Sequence, residues 1–404
     1  MAEPEHGPRR RDRWFAAAYL AGTLGAFAVV LVPQEPDASA GLAFYGVWIA
    51  LYAVTAWAWL RTGPALRPTV VVLLALAAWV VASAVWSEQP LSSAAYGLAF
   101  AANVAFVAWM RARFSLVTVW RITLVAIVAL AAGGVLLHLV GYESVRYVDV
   151  HGRSTLFGTD PLRGLFNHKI TAGVSAVLGV LLSWYLLSGV PRVVTIAGLA
   201  VFVVLTGSTG SLLLLVGAAG VALFLALARS LRLGPDVVVT FVAALLVMGA
   251  VSLTTVAPWV LEAMGRDGSL TGRTDLWAWG WRVALERPLL GWGFFGYAGS
   301  ERALLDAGTI PRFANYDLPH FHNAYLQGVV DLGVVGLLAP ALLGFVALYE
   351  NARRGLRAAD RAALASTAMM IVILFAGMGM HAFVQYNHFF TVVVLASFAY
   401  GRSS

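Results

Sequence analysis

Lys169 is the only lysine of this 404-residue chain; every other basic side chain among the 27 is arginine. It stands in "RGLFNHKITAG", directly after His168 and six residues after Arg163, at the head of an apolar run. A second cation, Arg273, opens the stretch "GRTDLWAWGWRVALE", and a third run begins at "HFHNAYLQ" with His320, His322 and Asn323. A helix N-terminus presents unsatisfied N–H groups and the positive end of the macrodipole, which favour an anion and disfavour a cation by about 0.3–1 kcal/mol. Three helix starts that each carry a cation or an imidazole therefore suit a negative ligand. Brought together, Arg163, His168, Lys169, Arg273, His320, His322 and Asn323 would form a site for phosphate or pyrophosphate, with imidazole available as a base near neutral pH. Taken alone, Lys169 has another reading: a stem buried in the bilayer with its ammonium among phospholipid headgroups.

The elements that must position these residues are membrane helices. Hydrophobic residues make up 60% of the chain and charged ones 12%, far outside the range of soluble domains. A span needs about 20 mostly apolar residues. That ruler predicts a single integral membrane domain over 1–404 with about twelve transmembrane helices, at 14–32, 41–60, 68–86, 92–110, 120–140, 169–189, 193–206, 210–228, 236–257, 323–349, 362–382 and 386–400. The first run is read as a span rather than a cleaved signal because it lacks a small-residue cleavage site. Short cytoplasmic loops collect Lys and Arg. Both termini inside satisfies that rule, since the short outer turns "PQEPDASA" and "WSEQP" carry only acids. The net charge of +7 is then a topology signal, and nothing points to nucleic acid.

The remaining basic residues fall on two external segments, 141–168 with the adjoining Lys169, and the long loop 258–321 between the ninth and tenth spans. Within the second, 271–286 reads as an amphipathic helix with Leu276, Trp277, Gly280, Trp281, Val283 and Ala284 on its apolar side. Its tryptophans suit an interfacial helix, which composition alone allows to be a passive anchor. Asn323, Gln327 and Asp331 recur every four residues in the tenth span as one polar stripe. Such a stripe either shapes a cavity or joins helices. His138, His381 and His388 near outer helix ends read as packing or headgroup residues. With no cysteine and no metal or nucleotide motif, neither a metal nor another cofactor is expected.

Five stretches together carry a resemblance: "WSEQP", "RGLFNHK", "LTGSTGSLLLL", "GRTDLWAWGWRVALERPLLGWG" and "HNAYLQGVVDLGVVGLL". The chain resembles the O-antigen ligase and polymerase superfamily of bacterial surface-polysaccharide assembly. The resemblance implies an all-α, GT-C-like membrane glycosyltransferase of the inner membrane whose active site faces the periplasm. It implies an undecaprenyl-diphosphate-linked oligosaccharide as donor and a glycan, lipid A core or protein as acceptor. Membrane lipids and a regulator of polysaccharide chain length are the other partners it suggests. Matched to the family's motifs, Arg273 and His322 are the expected catalytic pair, and Arg163, His168, Lys169, His320 and Asn323 the diphosphate-binding set. Ile170 stands where an Asn often follows His-Lys, and Thr209 where many ligases have an arginine; both departures favour a polymerase over a ligase. From another class, a polysaccharide or lipid-glycan transporter shares the twelve-span topology. Against it stand the short 189–192 connection at the midpoint, the long external loop and the lack of a repeat between halves.

Overall fold

The computed structural model describes residues 9–32, 38–63, 66–148, 155, 158–263, 272–310, 313 and 320–402. Most of the expected outer turn "PQEPDASA" and parts of both external segments, including 264–271 and 314–319, lie outside the described residues. Among the described residues the regular elements are all helices, and the chain is a polytopic membrane protein. Among the described residues eight helical stretches are long and apolar enough to cross a membrane: Gly41–Thr62, Pro68–Trp86, Pro90–Arg113, Leu116–Leu139, Lys169–Leu186, Thr209–Ser230, Pro235–Leu253 and Ala324–Ala358. Gly189–Leu205, Arg361–Ala376 and Phe389–Gly401 are apolar but shorter. The expected first span is two helices, α1 (Arg10–Leu24) and α2 (Ala26–Leu31), broken at Gly25. The expected eleventh span ends at Ala376 rather than 382, and the twelfth begins at Phe389, so the segment between them is irregular.

Packing divides the chain into two compact units. The first comprises 1–65, 105–233 and 351–372. At its centre lies α7 (Lys169–Leu186), packed against α6 (Leu116–Leu139), α8 (Gly189–Leu205) and α9 (Thr209–Ser230). Small residues permit this: a methyl group on Gly173 would collide with Ser211 of α9. The helix is also buried on nearly all sides, from Thr171 through Leu182, as expected of an all-round apolar sequence.

The second unit comprises 66–104, 234–350 and 373–404. It holds residues 324–350 of the long helix α13 (Ala324–Ala358), which is broken at Gly333, where φ is 61° and ψ is −146°, a conformation open only to glycine. A break within a helix frees backbone groups that must find partners, and the loop after α11 (Arg273–Glu286) supplies them. Trp292 N–H donates to Val330 O at 2.8 Å, and Val334 N–H to Pro288 O at 2.9 Å. The "WSEQP" turn grips the same loop. Trp86 Nε1 donates to Leu290 O (3.0 Å), Gln89 Nε2 to Ala298 O (2.9 Å), and Arg287 pairs with Glu88 at 2.7 Å. Gly293 makes the fit possible, since a Cβ there would lie 2.4 Å from that of Ser87. The turn expected only as an acidic outer connection is thus a clamp on the external loop.

Candidate functional site

In the first unit the helix start at Lys169 falls where the sequence places it. His168 is the N-cap of α7, and its Nδ1 accepts from Ile170 N–H at 3.1 Å. That contact leaves the proton of a neutral imidazole on Nε2, which lies 2.8 Å from Tyr147 Oη. Lys169 is buried at 7% exposure, with Nζ 5.1 Å from the centre of the Tyr147 ring, a cation–π contact. Arg163 Nε donates to Ser144 O at 2.9 Å and Nη1 to Asn167 O at 3.3 Å. Half-burial lowers its pKa from the ordinary guanidinium value, opposed by the nearby Tyr147 and Tyr142. Arg163, His168 and Lys169 therefore share one corner, organised by Tyr147, which the sequence reading passed over.

In the second unit Arg273 opens α11 from a glycine cap, Gly272, at φ 85°. Its half-buried guanidinium lies against Gly379, close enough that a Cβ there would stand 3.2 Å from Nη1. Trp279, rather than Trp281, is the tryptophan that enters the core: it is 1% exposed while Trp281 is 50% exposed. The helical period puts 276, 279, 280, 283 and 284 on one face, and this face packs on Tyr297, Phe321 and Leu326. Full burial of such side chains stabilises by about 1.5–3 kcal/mol each. Trp279 Nε1 also donates to Tyr297 Oη (2.8 Å), which donates to Asp306 (2.7 Å). Burial and the Asp306 carboxylate both push the Tyr297 phenol up, so it remains a donor. The helix is thus built into the unit and is more than a surface anchor.

The irregular segment 320–323 is held through several of its backbone groups. Trp277 Nε1 donates to Phe321 O (3.1 Å), Phe321 N–H to Gln327 Oε1 (2.9 Å), and His322 N–H to His320 Nδ1 (3.1 Å). Asn323 Oδ1 accepts from Tyr325 and Leu326 N–H at 3.0 and 3.1 Å. It caps α13, which leaves its amide NH2 as the group able to contact a ligand. His322 is itself left-handed, at φ 51°, an uncommon state for a non-glycine residue that concentrates at functional sites. The polar stripe explains the hold: Gln327 Nε2 donates to Asp331 Oδ1 at 2.9 Å, and Asp331 also accepts from Phe295 N–H. Gln327 and Asp331 are 1% exposed. They lock two loops to α13 and so position His320 and His322.

Two further imidazoles join this cluster. The turn 377–388 leads from α14 (Arg361–Ala376) to α15 (Phe389–Gly401) and is tied to the start of α13 by Ala324 N–H donating to Gly377 O at 2.8 Å. His381 lies on it, its ring 5.8 Å from that of His320, which in turn is 4.2 Å from His322. Burial, then the neighbouring His320, lowers the pKa of His388 to about 3; the same causes lower His381 well below an ordinary imidazole. The sequence reads both as packing or headgroup residues near helix ends; their burial agrees with packing, and the helix end at Ala376 puts both on one turn. One unit thus holds a guanidinium able to hold an anion, Arg273, the imidazoles of His320 and His322, and the buried His381, which burial keeps neutral.

Comparison with known proteins bears on this arrangement. Residues 193–341 match the family model described as O-antigen ligase, a stretch that includes Arg273, His320, His322 and Asn323. Over 330 residues the chain is 26% identical to the exopolysaccharide production protein ExoQ of Rhizobium meliloti (strain 1021), covering 78% of this chain and 71% of that protein.

Proposed function

We propose, on the match of residues 193–341 to the O-antigen ligase family model and the 26% identity to an exopolysaccharide production protein, that the chain is a member of the O-antigen ligase and polymerase superfamily and a GT-C-like membrane glycosyltransferase of about twelve spans, acting on the external face of the cytoplasmic membrane. Its donor is an oligosaccharide linked to undecaprenyl diphosphate, and it transfers or polymerises that glycan during surface-polysaccharide assembly. The reading is supported by Arg273, a cation in a helix's first turn set against Gly379 of the turn that carries His381, and by the left-handed His322 beside His320, whose ring neighbours that of His381. The apolar edge formed by Trp281, Leu285 and Leu289, all exposed, suits a helix lying at the lipid surface beside a lipid-linked donor.

In the proposed reaction an acceptor hydroxyl attacks the anomeric carbon of the donor sugar as the bond from that carbon to the diphosphate oxygen breaks. His322 takes the hydroxyl proton, and inversion follows from displacement on the opposite face. Negative charge grows on the departing undecaprenyl diphosphate, where a preorganised guanidinium is worth several kcal/mol. Arg273 fills that role. Arg163, His168 and Lys169 are in this reading an anion-holding corner of the first unit by itself, and Asn323 holds the helix start on which His322 is mounted. A polymerase is favoured over a ligase by the likeness to an exopolysaccharide production protein.

Lipid-linked glycans and surface polysaccharide in cells lacking the gene, complemented by wild type or by His322→Ala, test this. Single repeat units accumulating without polymer are the expected outcome for both the deletion and His322→Ala. Long lipid-linked chains absent from lipopolysaccharide would mean a ligase, and glycans unchanged by deletion would overturn the enzyme reading in favour of a transporter. Full polymer from His322→Ala would remove the base from His322.

A further inference from the structure

The turn 377–388 carries three buried polar side-chain atoms without a hydrogen-bond partner: His381 Nδ1, Gln385 Oε1 and His388 Nδ1. His381 and His388 are 4% and 6% exposed. The tautomer of His381 follows from its other nitrogen, since Nε2 lies 3.1 Å from Val384 O and must carry the proton donated there. Nδ1 is then a lone-pair acceptor taken out of water. Buried polar atoms without partners are uncommon, and three within eight residues of one turn call for a common cause.

The surroundings indicate what kind of donor would answer them. Phe295 lies 5.4 Å from the His381 ring and 5.1 Å from that of Tyr386. Tyr96 stacks on Tyr386 at 4.1 Å and meets Phe295 at 5.6 Å. Tyr96 and Tyr386 are both half-exposed, so the aromatic group has open as well as buried surface. A ligand that brings several hydroxyl donors together with apolar C–H faces matches this combination of acceptors and rings, and a pyranose is such a ligand. An isolated phosphate does not match, because it brings acceptors to acceptors.

We propose that Tyr96, Phe295, His381, Gln385, Tyr386 and His388 form a sugar-binding subsite beside His320, in which His381 Nδ1 accepts a hydrogen bond from a ring hydroxyl of the bound glycan. The subsite rests on the glycan-transfer reading and adds the group that holds a sugar ring near the reacting centre. His381 is a binding residue in this assignment, separate from the proton transfer at His322.

The test uses the full-length protein in detergent and, as probe, the free oligosaccharide released by mild acid from the producing cells' lipid-linked glycan. His381→Phe keeps an aromatic ring and removes both the Nδ1 acceptor and the Nε2–H donated to Val384 O. Its affinity for the oligosaccharide should fall about tenfold, the loss of one hydrogen bond of about 1.4 kcal/mol, and KM for the lipid-linked substrate should rise more than kcat falls. Its thermal midpoint reports that the variant is folded, since the lost bond to Val384 O and the removal of an unpartnered buried acceptor act in opposite directions; the separation of KM from kcat is what a purely structural histidine would not produce. Tyr96→Ala, at a half-exposed position, should weaken binding as well and serves if His381→Phe does not fold. Wild-type affinity in folded His381→Phe or in Tyr96→Ala would overturn the subsite while leaving the transfer reading intact. Failure of wild type both to bind the oligosaccharide and to transfer the lipid-linked glycan would overturn the two together.

Discussion

Gln327→Met is the substitution that isolates the hold on His320 and His322. Methionine nearly conserves volume, so packing changes little, but both ends of the amide are lost. At one end Phe321 N–H, on a residue 1% exposed, loses the Oε1 it donates to at 2.9 Å. At the other, Asp331 Oδ1 loses the donor at 2.9 Å. A buried polar group left unsatisfied costs about 1–3 kcal/mol, so the two ends together cost roughly 2–6 kcal/mol. The thermal midpoint of the purified protein in one detergent should therefore fall clearly. Turnover of lipid-linked oligosaccharide should fall further, because displacement of catalytic groups by about 1 Å costs up to about 100-fold. Gln327→Glu keeps an acceptor for Phe321 N–H but sets a second carboxyl beside Asp331, and belongs between wild type and Gln327→Met. A double-mutant cycle with Asp331→Asn should show coupling of about 0.5–3 kcal/mol, as for residues in one hydrogen-bond network. Gln327→Met with an unchanged midpoint and full turnover would refute the positioning argument.

Arg273→Ala should lower turnover by about 100- to 1000-fold, the loss of one preorganised charge-stabilising donor, measured on purified protein at saturating substrate. Gly379→Ala places a methyl 3.2 Å from the Arg273 guanidinium; a shift of a few tenths of an ångström should lower turnover about tenfold in a normally folded protein, and unchanged turnover would show that the guanidinium need not sit there. With His388 at about 3 in the folded state and 6.5 as its reference, the unfolded chain binds a proton between those values that the folded chain refuses, so stability falls as pH drops below about 6.5. At pH 5 the loss from His388 is about 2 kcal/mol, with burial and His320 as the causes and His381 shifting in the same direction; thermal midpoints at pH 7 and 5 should differ less for His388→Gln than for wild type. Tyr147→Phe should cost about 1 kcal/mol through the lost contact to His168 while keeping a ring under Lys169, and Tyr147→Leu should cost more; equal midpoints for the two would remove the cation–π contribution.

Much of the architecture follows from local pattern. Apolar runs of spanning length, the α7 start at Lys169, the α11 helix ending at Glu286 and the α13 start after Asn323 each depend on periodicity, composition or a capping residue, all carried by neighbours in the chain. Helix ends inside apolar sequence were less legible. Nothing in "LFAGMGMHAFVQYNH" distinguishes membrane helix from buried turn by hydropathy, and the turn exists because its backbone finds partners elsewhere, Gly377 O accepting from Ala324 N–H among them.

The residue types of the candidate site were set by the sequence alone: the single lysine, an arginine in a helix's first turn, and the His-x-His-Asn start of α13. So was the expectation of an anionic ligand, because charge and helix polarity are local properties. Only the tertiary structure decided which of these act together within a unit, that Asn323 caps a helix, that Gln327 and Asp331 hold the histidine segment, and that His381 and His388 stand beside His320. Hydrogen bonds across tens or hundreds of residues leave no periodic mark in the sequence, since their geometry arises from how helices and loops pack.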